Sequence, residues 1–402
     1  MSTGRRFSQN FTDSLPILDY RRELYQSLER INTYNPPVHT CSTGWAFNGF
    51  YSGPTSIAYL FYRLSLVYPG LSFKQQSLLE WANDYLKLSA NNRHSQPDPN
   101  HCGIASETLA YEALTSIINN DPSLANKICS YEPSISADVG SNEWLYGRAG
   151  YLYILRVCRT HFEKQAGAEK VTTLLNQTIQ RTIQYILGIP RPWTWHGKEY
   201  LGAVHGYIGI ITQIVLSQPK DSIAQIHHDL EQIMKELLEN QLQSGNFPSS
   251  AEKLGASRDD RLMQMCHGSP GFVMSFDSIK DFFSNDLQAE IAQASERARD
   301  DIWNRGILTK SPCLCHGIAG NALVFSRHDD GRFEGLLGHI TTEQLESNAQ
   351  ADTTKGLEKG WLQDAGRTDD FVGLFTGEAG RAWVWAVADK NLSRTCIGYN
   401  DI

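Results

Sequence analysis

Seven times along the 402 residues a short G-x-x-G element, or a near copy of it, stands just before an apolar run. The copies read "YSGPTSIAYLF" around Gly53, "HCGIASETLAY" around Gly103, "LYGRAGYLYIL" around Gly147, "VHGYIGIITQI" around Gly206, "CHGSPGFVMSF" around Gly268, "CHGIAGNALVF" around Gly317 and "FTGEAGRAWVW" around Gly377. Their spacings of 50, 44, 59, 62, 49 and 60 residues are those of an architectural repeat, with Ser56 and Ser106 replacing the second glycine in the first two copies. A bare G-x-x-G carries little weight, because 32 glycines would yield about two or three by chance. Cys-His-Gly is different: composition alone gives it on the order of 0.02 times, yet it occurs twice, both times in the repeat frame.

Helical periodicity fills the space between the motifs. Leu78, Trp81, Tyr85 and Leu88 recur at steps of three and four, as do Ile223, Ile226, Leu230, Ile233 and Leu237, which predicts helices with one apolar face. The runs that follow the glycines, such as "GYLYILRVC" and "YIGIITQIVL", are apolar on most faces and predict helices buried all round. Each repeat therefore reads as one outer and one inner helix. Seven such pairs predict an all-α chain closed into a seven-fold α/α barrel, or toroid, with the G-x-x-G motifs at the starts of the inner helices and gathered on one face. Lacking a Cβ, glycine lets backbone approach closely at those starts. An open solenoid of helix pairs is the alternative. No interdomain linker stands out, so residues 1–402 read as one domain, with 1–40 as an N-terminal extension packing on the barrel.

Composition narrows the partners. A net charge of −8 with interspersed signs offers no continuous basic surface for phosphates, which excludes nucleic acid as the expected partner. No apolar stretch approaches a membrane span, the first residues lack the apolar core of an export signal, and Ser2 stands where N-myristoylation requires glycine. A cytoplasmic protein without stable membrane insertion is expected. Its eight scattered cysteines then read as thiols rather than disulfides.

At "EWLYGRAGYLYIL", "WTWHGKEYLGAVHGYIGI", "CHGSPG", "CLCHGIAGN" and "GLFTGEAG" the chain resembles the LanC-like family, the eukaryotic relatives of bacterial lanthionine cyclases. The resemblance covers nearly the whole chain and implies a seven-fold α/α barrel with one catalytic zinc near the centre of the glycine-rich face. Catalytic zinc normally takes three protein ligands and leaves a fourth position open, a count met by Cys266, Cys315 and His316, which match the family's ligand positions. Adjacent ligands at 315 and 316 need a loop or helix start, because neighbouring residues diverge around a helix. Cys313 is the complication: as a fourth ligand it would close the site into a structural one, which the resemblance argues against. Reduced cysteines packed as small apolar groups are the plainer reading of the cluster.

The resemblance also implies the reaction and its remaining residues. A thiol deprotonated on zinc would add to the β-carbon of a dehydroalanine or dehydrobutyrine residue in a protein or peptide, and the resulting enolate needs a proton. His205 matches the family histidine associated with that proton, and a satisfied structural histidine is its alternative. His267 matches a second such position, and Glu143 an acidic position at the barrel centre that could orient a histidine or simply face a helix N-terminus. Eukaryotic members are associated with glutathione, whose carboxylates suit cations. Lys310 and Arg367 match family cations, Arg5 does so loosely, and Lys198 in "WHGKEYLG" could hold an acidic substrate. Met265 departs from the tryptophan usual before the first cysteine. A zinc-dependent enzyme adding glutathione or another thiol to dehydroamino acids is thus the expectation. A non-catalytic zinc-containing adaptor that binds glutathione or a signalling protein is the alternative, with intramolecular lanthionine cyclisation behind it.

Overall fold

A computed structural model describes residues 17–39, 44–92, 95–218, 224–253, 259–308, 310–326, 331–347 and 372–402. In chain order its helices are α1 (Tyr20–Tyr34), α2 (Pro54–Val67), α3 (Leu78–Ser89), α4 (Glu107–Asn119), α5 (Pro122–Ser130), α6 (Glu132–Ile135), α7 (Arg148–Phe162) and α8 (Glu169–Gly188). They continue as α9 (Tyr207–Ser217), α10 (Ala224–Leu238), α11 (Ser269–Ile279), α12 (Asn285–Arg305), α13 (Ile318–Ala322), α14 (Arg332–Gly338) and α15 (Glu378–Asp389). A two-residue hairpin, Ser72–Phe73 with Gln76–Ser77, is the one sheet among the described residues. No helix among them is long and apolar enough to cross a membrane.

The repeat motifs become helix starts. Gly53, Gly147, Gly206, Gly268, Gly317 and Gly377 are the N-caps of α2, α7, α9, α11, α13 and α15. In the second repeat the start falls three residues later, because Ser106, standing where other copies have their second glycine, is the N-cap of α4. The helices that follow are buried on most faces, as in α7, where residues 148–159 are all buried. Outer helices bury one stripe. In α3, Leu78, Trp81, Tyr85 and Leu88 all lie in the core, and the helix opens on a capping box between Ser77 and Glu80.

Pairing closes the ring. Each inner helix packs against the outer helix that follows it, α2 on α3, α4 on α5, α7 on α8, α9 on α10, α11 on α12 and α13 on α14. The seventh inner helix, α15, takes its outer partner from the other end of the chain, α1, and itself touches α2. Arg381, fully buried on α15, meets both Glu23 of α1 and Glu378 at that junction. This closure is the toroid expected from the repeats, not an open solenoid.

On the motif face the loops join hand to hand through backbone hydrogen bonds. Phe50 N donates to Ile104 O (2.9 Å), Ala105 N to Leu145 O (2.9 Å), and Trp144 N to Val204 O (3.0 Å). Cys266 N donates to Cys315 O (3.0 Å), Cys315 N to Phe375 O (2.9 Å), and Phe375 N to Tyr51 O (3.0 Å). Between the fourth and fifth motifs the contact is tighter still: a Cβ on Gly202 would lie 2.5 Å from the Cys266 carbonyl oxygen, so only glycine lets these loops meet. The inside of the barrel is filled by residues 396–402. Arg156 and Gln213 each donate to Tyr399 O (3.0 Å), the Tyr399 hydroxyl pairs with Ser275 Oγ at 2.7 Å, and Asp401 takes hydrogen bonds from Arg63 and Tyr153.

Candidate functional site

The two residues before each first glycine form the inner rim of the loop ring, and this frame brings the candidate residues together. Cys266 and Cys315 are buried there, their backbones joined as described, and their thiols share a hydrogen bond. That contact and burial push the Cys266 thiol up, while Cys315 is pulled well down by hydrogen bonds from Cys266 and His316. The two sulfurs are thus a buried, hydrogen-bonded pair. Burial works against a charge on His316, but its hydrogen bonds to Cys313 and Cys315 outweigh this and push the imidazole up to about 10. Cys313, fully buried, thus stands in contact with His316 beside the expected ligands.

Two thiols and an imidazole at converging loop ends are the right donors in kind for zinc. As the side chains are oriented, however, no three His, Cys, Asp or Glu among the described residues form a ligand group. The donor set fits the ion by its chemistry. The seven described cysteines are all free thiols.

Tyr51 was not singled out from the sequence. Its hydroxyl donates to Cys315 Sγ at 3.3 Å, and its ring stacks on Phe375 with centroids 5.6 Å apart. Burial, with the cysteines beside it, raises its pKa far enough to keep it a donor. The signal was there: Tyr51 occupies the position in the first motif that Cys266 and Cys315 occupy in theirs.

Next along the rim from Cys266 stands His205. Its Nδ1 donates to Glu143 Oε2 at 2.8 Å, and buried Glu143 also accepts from the backbone amides of Leu145 (2.8 Å) and Tyr146. Three donors fix the carboxylate, so the carboxylate fixes the imidazole and leaves Nε2 as the atom available to substrate. One face of the ring is covered by Trp195, parallel at 3.8 Å. A tight hairpin presents that tryptophan. Trp195 and Lys198 exchange backbone hydrogen bonds of 2.9 and 3.0 Å around His196 (φ 47°) and Gly197 (φ 70°), the double positive φ of a type I′ turn. The His267 ring lies 5.9 Å from His205 and 5.6 Å from Tyr200, which links the imidazole side of the rim to Cys266.

The four expected cations fare differently. Lys310 is exposed, donates to Gln264 Oε1 at 3.2 Å and lies near enough to Cys266 to act on it electrostatically. Lys198 sits exposed on the hairpin, where its charge acts on Glu252. Arg5 and Arg367 lie outside the described residues. Trp195, Tyr200 and Gln264, like Tyr51, are site residues that sequence reasoning left without a role.

Comparison with known proteins agrees with this architecture. Residues 44–388 match the family described as lanthionine synthetase C-like protein. Glutathione S-transferase LANCL1 of Danio rerio is 30% identical over 328 residues, 75% of this chain and 73% of that protein. Among solved structures, nisin cyclase superposes with a TM-score of 0.53 over 94% of this chain and 95% of its own, at 15% identity, a likeness of fold. From a matched span covering most of the chain, a closed ring of seven helix pairs and the motif residues on its rim, it follows that this chain belongs to the lanthionine synthetase C-like family.

Proposed function

We propose that the chain forms thioethers, adding glutathione or a similar thiol to dehydroalanine or dehydrobutyrine residues of a protein or peptide. The observation that carries this reading is the rim itself: an imidazole locked by Glu143 and Trp195, and next to it a buried, hydrogen-bonded pair of cysteines. The name of the Danio rerio relative, a glutathione S-transferase, supports the thiol class, and that of nisin cyclase, a likeness of fold only, is compatible with it.

Cys266, Cys315 and His316 are the residues that would hold zinc. When bound, zinc supplies Lewis-acid activation, which keeps an incoming thiol as its thiolate near neutral pH. The chain's own groups do the rest. Lys310 offers a cation for a glutathione carboxylate on the Cys266 side. The thiolate sulfur bonds to the β-carbon, the π pair moves toward the carbonyl oxygen as an enolate, and a proton on His205 Nε2 is delivered to the α-carbon. The sum is addition of S–H across C=C, with no oxidant or reductant. Glu143 keeps Nδ1 protonated throughout, so Nε2 can give up a proton and recover one from the next thiol. His267, whose ring lies 5.9 Å from that of His205, would relay that recovery.

The test is adduct formation between glutathione and a dehydroalanine peptide, read by mass spectrometry alongside zinc content. Wild type should exceed the uncatalysed rate. His205→Ala should lose about 10²–10⁴-fold while keeping zinc, and Cys315→Ala should lose both zinc and turnover. A zinc-replete wild type at the background rate would refute the reading. The adaptor reading draws on one observation, the contact between Cys313 and His316. If Cys313 closes the coordination shell, Cys313→Ala should raise turnover or reduce zinc affinity.

A further inference from the structure

Beside His205 the structure holds an open cleft of about 510 Å³, with no cysteine among its described lining residues. One wall is aromatic: Tyr146 and Trp195 stand nearly parallel, 7° apart, with centroids at 6.1 Å. The same Trp195 covers His205 with its other contact, so the cleft and the imidazole share a wall. Asn100, Ser141 and Thr194 supply an amide and two hydroxyls around it, and His196 of the hairpin stands at the edge. Among the described residues no Asp, Glu, Lys or Arg lines the cleft.

This lining discriminates between the two reactants. Glutathione carries two carboxylates, and the described lining offers them no cation, whereas Lys310 acts on Cys266. An extended peptide carries no charge on its backbone, and its amides match the amide and hydroxyl groups here. The apolar side chains that flank its dehydroamino acid match the aromatic faces. Geometry adds the direction of approach. The acceptor carbon must lie between the sulfur and His205 Nε2, and the chain running on from it can leave past Trp195 into this cleft.

We propose that the cleft walled by Tyr146 and Trp195 is the acceptor subsite, taking an extended, uncharged stretch of the peptide that carries the dehydroamino acid. This rests on the thioether-forming reading above. Trp195 thereby couples the two tasks, since the wall that receives the peptide is the surface that holds the imidazole flat.

The test uses the full chain with zinc, glutathione and two acceptors: N-acetyl-dehydroalanine methylamide, which reaches only the reacting centre, and an uncharged hexapeptide with one dehydroalanine. Thr194→Trp fills the cleft from an exposed position and leaves Trp195 and His205 unsubstituted. It is expected to raise KM for the hexapeptide about tenfold and to leave the small acceptor within about twofold of wild type. Equal KM for the hexapeptide in variant and wild type overturns the subsite. A second measurement does not need turnover: the hexapeptide carrying a benzophenone side chain two residues from the dehydroalanine is photo-cross-linked to wild type. Recovery on residues 140–146 or 194–196 supports the cleft, and recovery elsewhere overturns it. Failure of wild type to turn over either acceptor sinks the thioether reading, while the cross-link still decides where the peptide lies.

Discussion

Glu143 has more hydrogen-bond donors than a single-acceptor amide could satisfy. Two backbone amides and His205 Nδ1 all converge on its carboxylate. Glu143→Gln keeps the shape but supplies one accepting oxygen, so a buried N–H loses its partner. The expected cost is about 1–3 kcal/mol of stability, read by urea unfolding, together with a fall in kcat of about 10²-fold that exceeds any change in KM for thiol. Tyr51→Phe is the complementary experiment on the sulfur side. It keeps the stack on Phe375 and deletes the hydroxyl that donates to Cys315 Sγ. A hydrogen bond to a charged acceptor is worth enough that kcat/KM for thiol should drop about tenfold; an unchanged value would mean that Tyr51 only packs.

Helix starts, rather than helix bodies, are where this fold is specified. A Cβ on Gly320, in the first turn of α13, would lie 2.0 Å from the Leu314 carbonyl oxygen, within the loop that carries Cys315. Gly320→Ala must push that loop aside, with an expected loss of about 1–3 kcal/mol measured as a lower urea midpoint, and a matching loss of zinc. The first turn of α15 offers a pH test. Burial alone would raise the pKa of Glu378, but Arg381 and Arg30 hold it below the ordinary 4.5. The folded chain then binds fewer protons than the unfolded one in the window beneath 4.5. Its contribution is complete above the unfolded value and is lost as pH falls through the folded one. Stability measured from about pH 5 down to about pH 3 should fall less steeply in Glu378→Gln than in wild type.

At the scale of the whole molecule, two segments from the ends of the sequence complete the ring. Helix α1 is the outer partner of α15, and residues 396–402 fill the interior. Asp401 there pairs with Arg63 of α2, its side chain fully buried and that of Arg63 nearly so. Asp401→Ala would leave a buried guanidinium without its carboxylate, and a loss of about 3–5 kcal/mol is expected in urea unfolding. A much smaller loss would mean that water reaches the barrel interior.

Sequence by itself determined the repeat number, the order of outer and inner helices, and the residue types at the rim, because glycine motifs and apolar periodicity are local signals. It also singled out Cys266, Cys315, His316, His205 and Glu143, since rare residue types in a repeated frame stand out against composition. Tertiary structure alone decided what meets across the ring. The hydroxyl of Tyr51 reaches a sulfur 264 residues away, and Glu143 reaches a histidine 62 residues on. Neither pairing has a local pattern to announce it. Trp195 reads as one aromatic residue among many until a two-residue turn with positive φ lays it flat on His205. That α1 closes the seventh repeat, and that the last described residues plug the barrel, likewise follow from ring closure, a condition on the whole chain that no single stretch of it encodes.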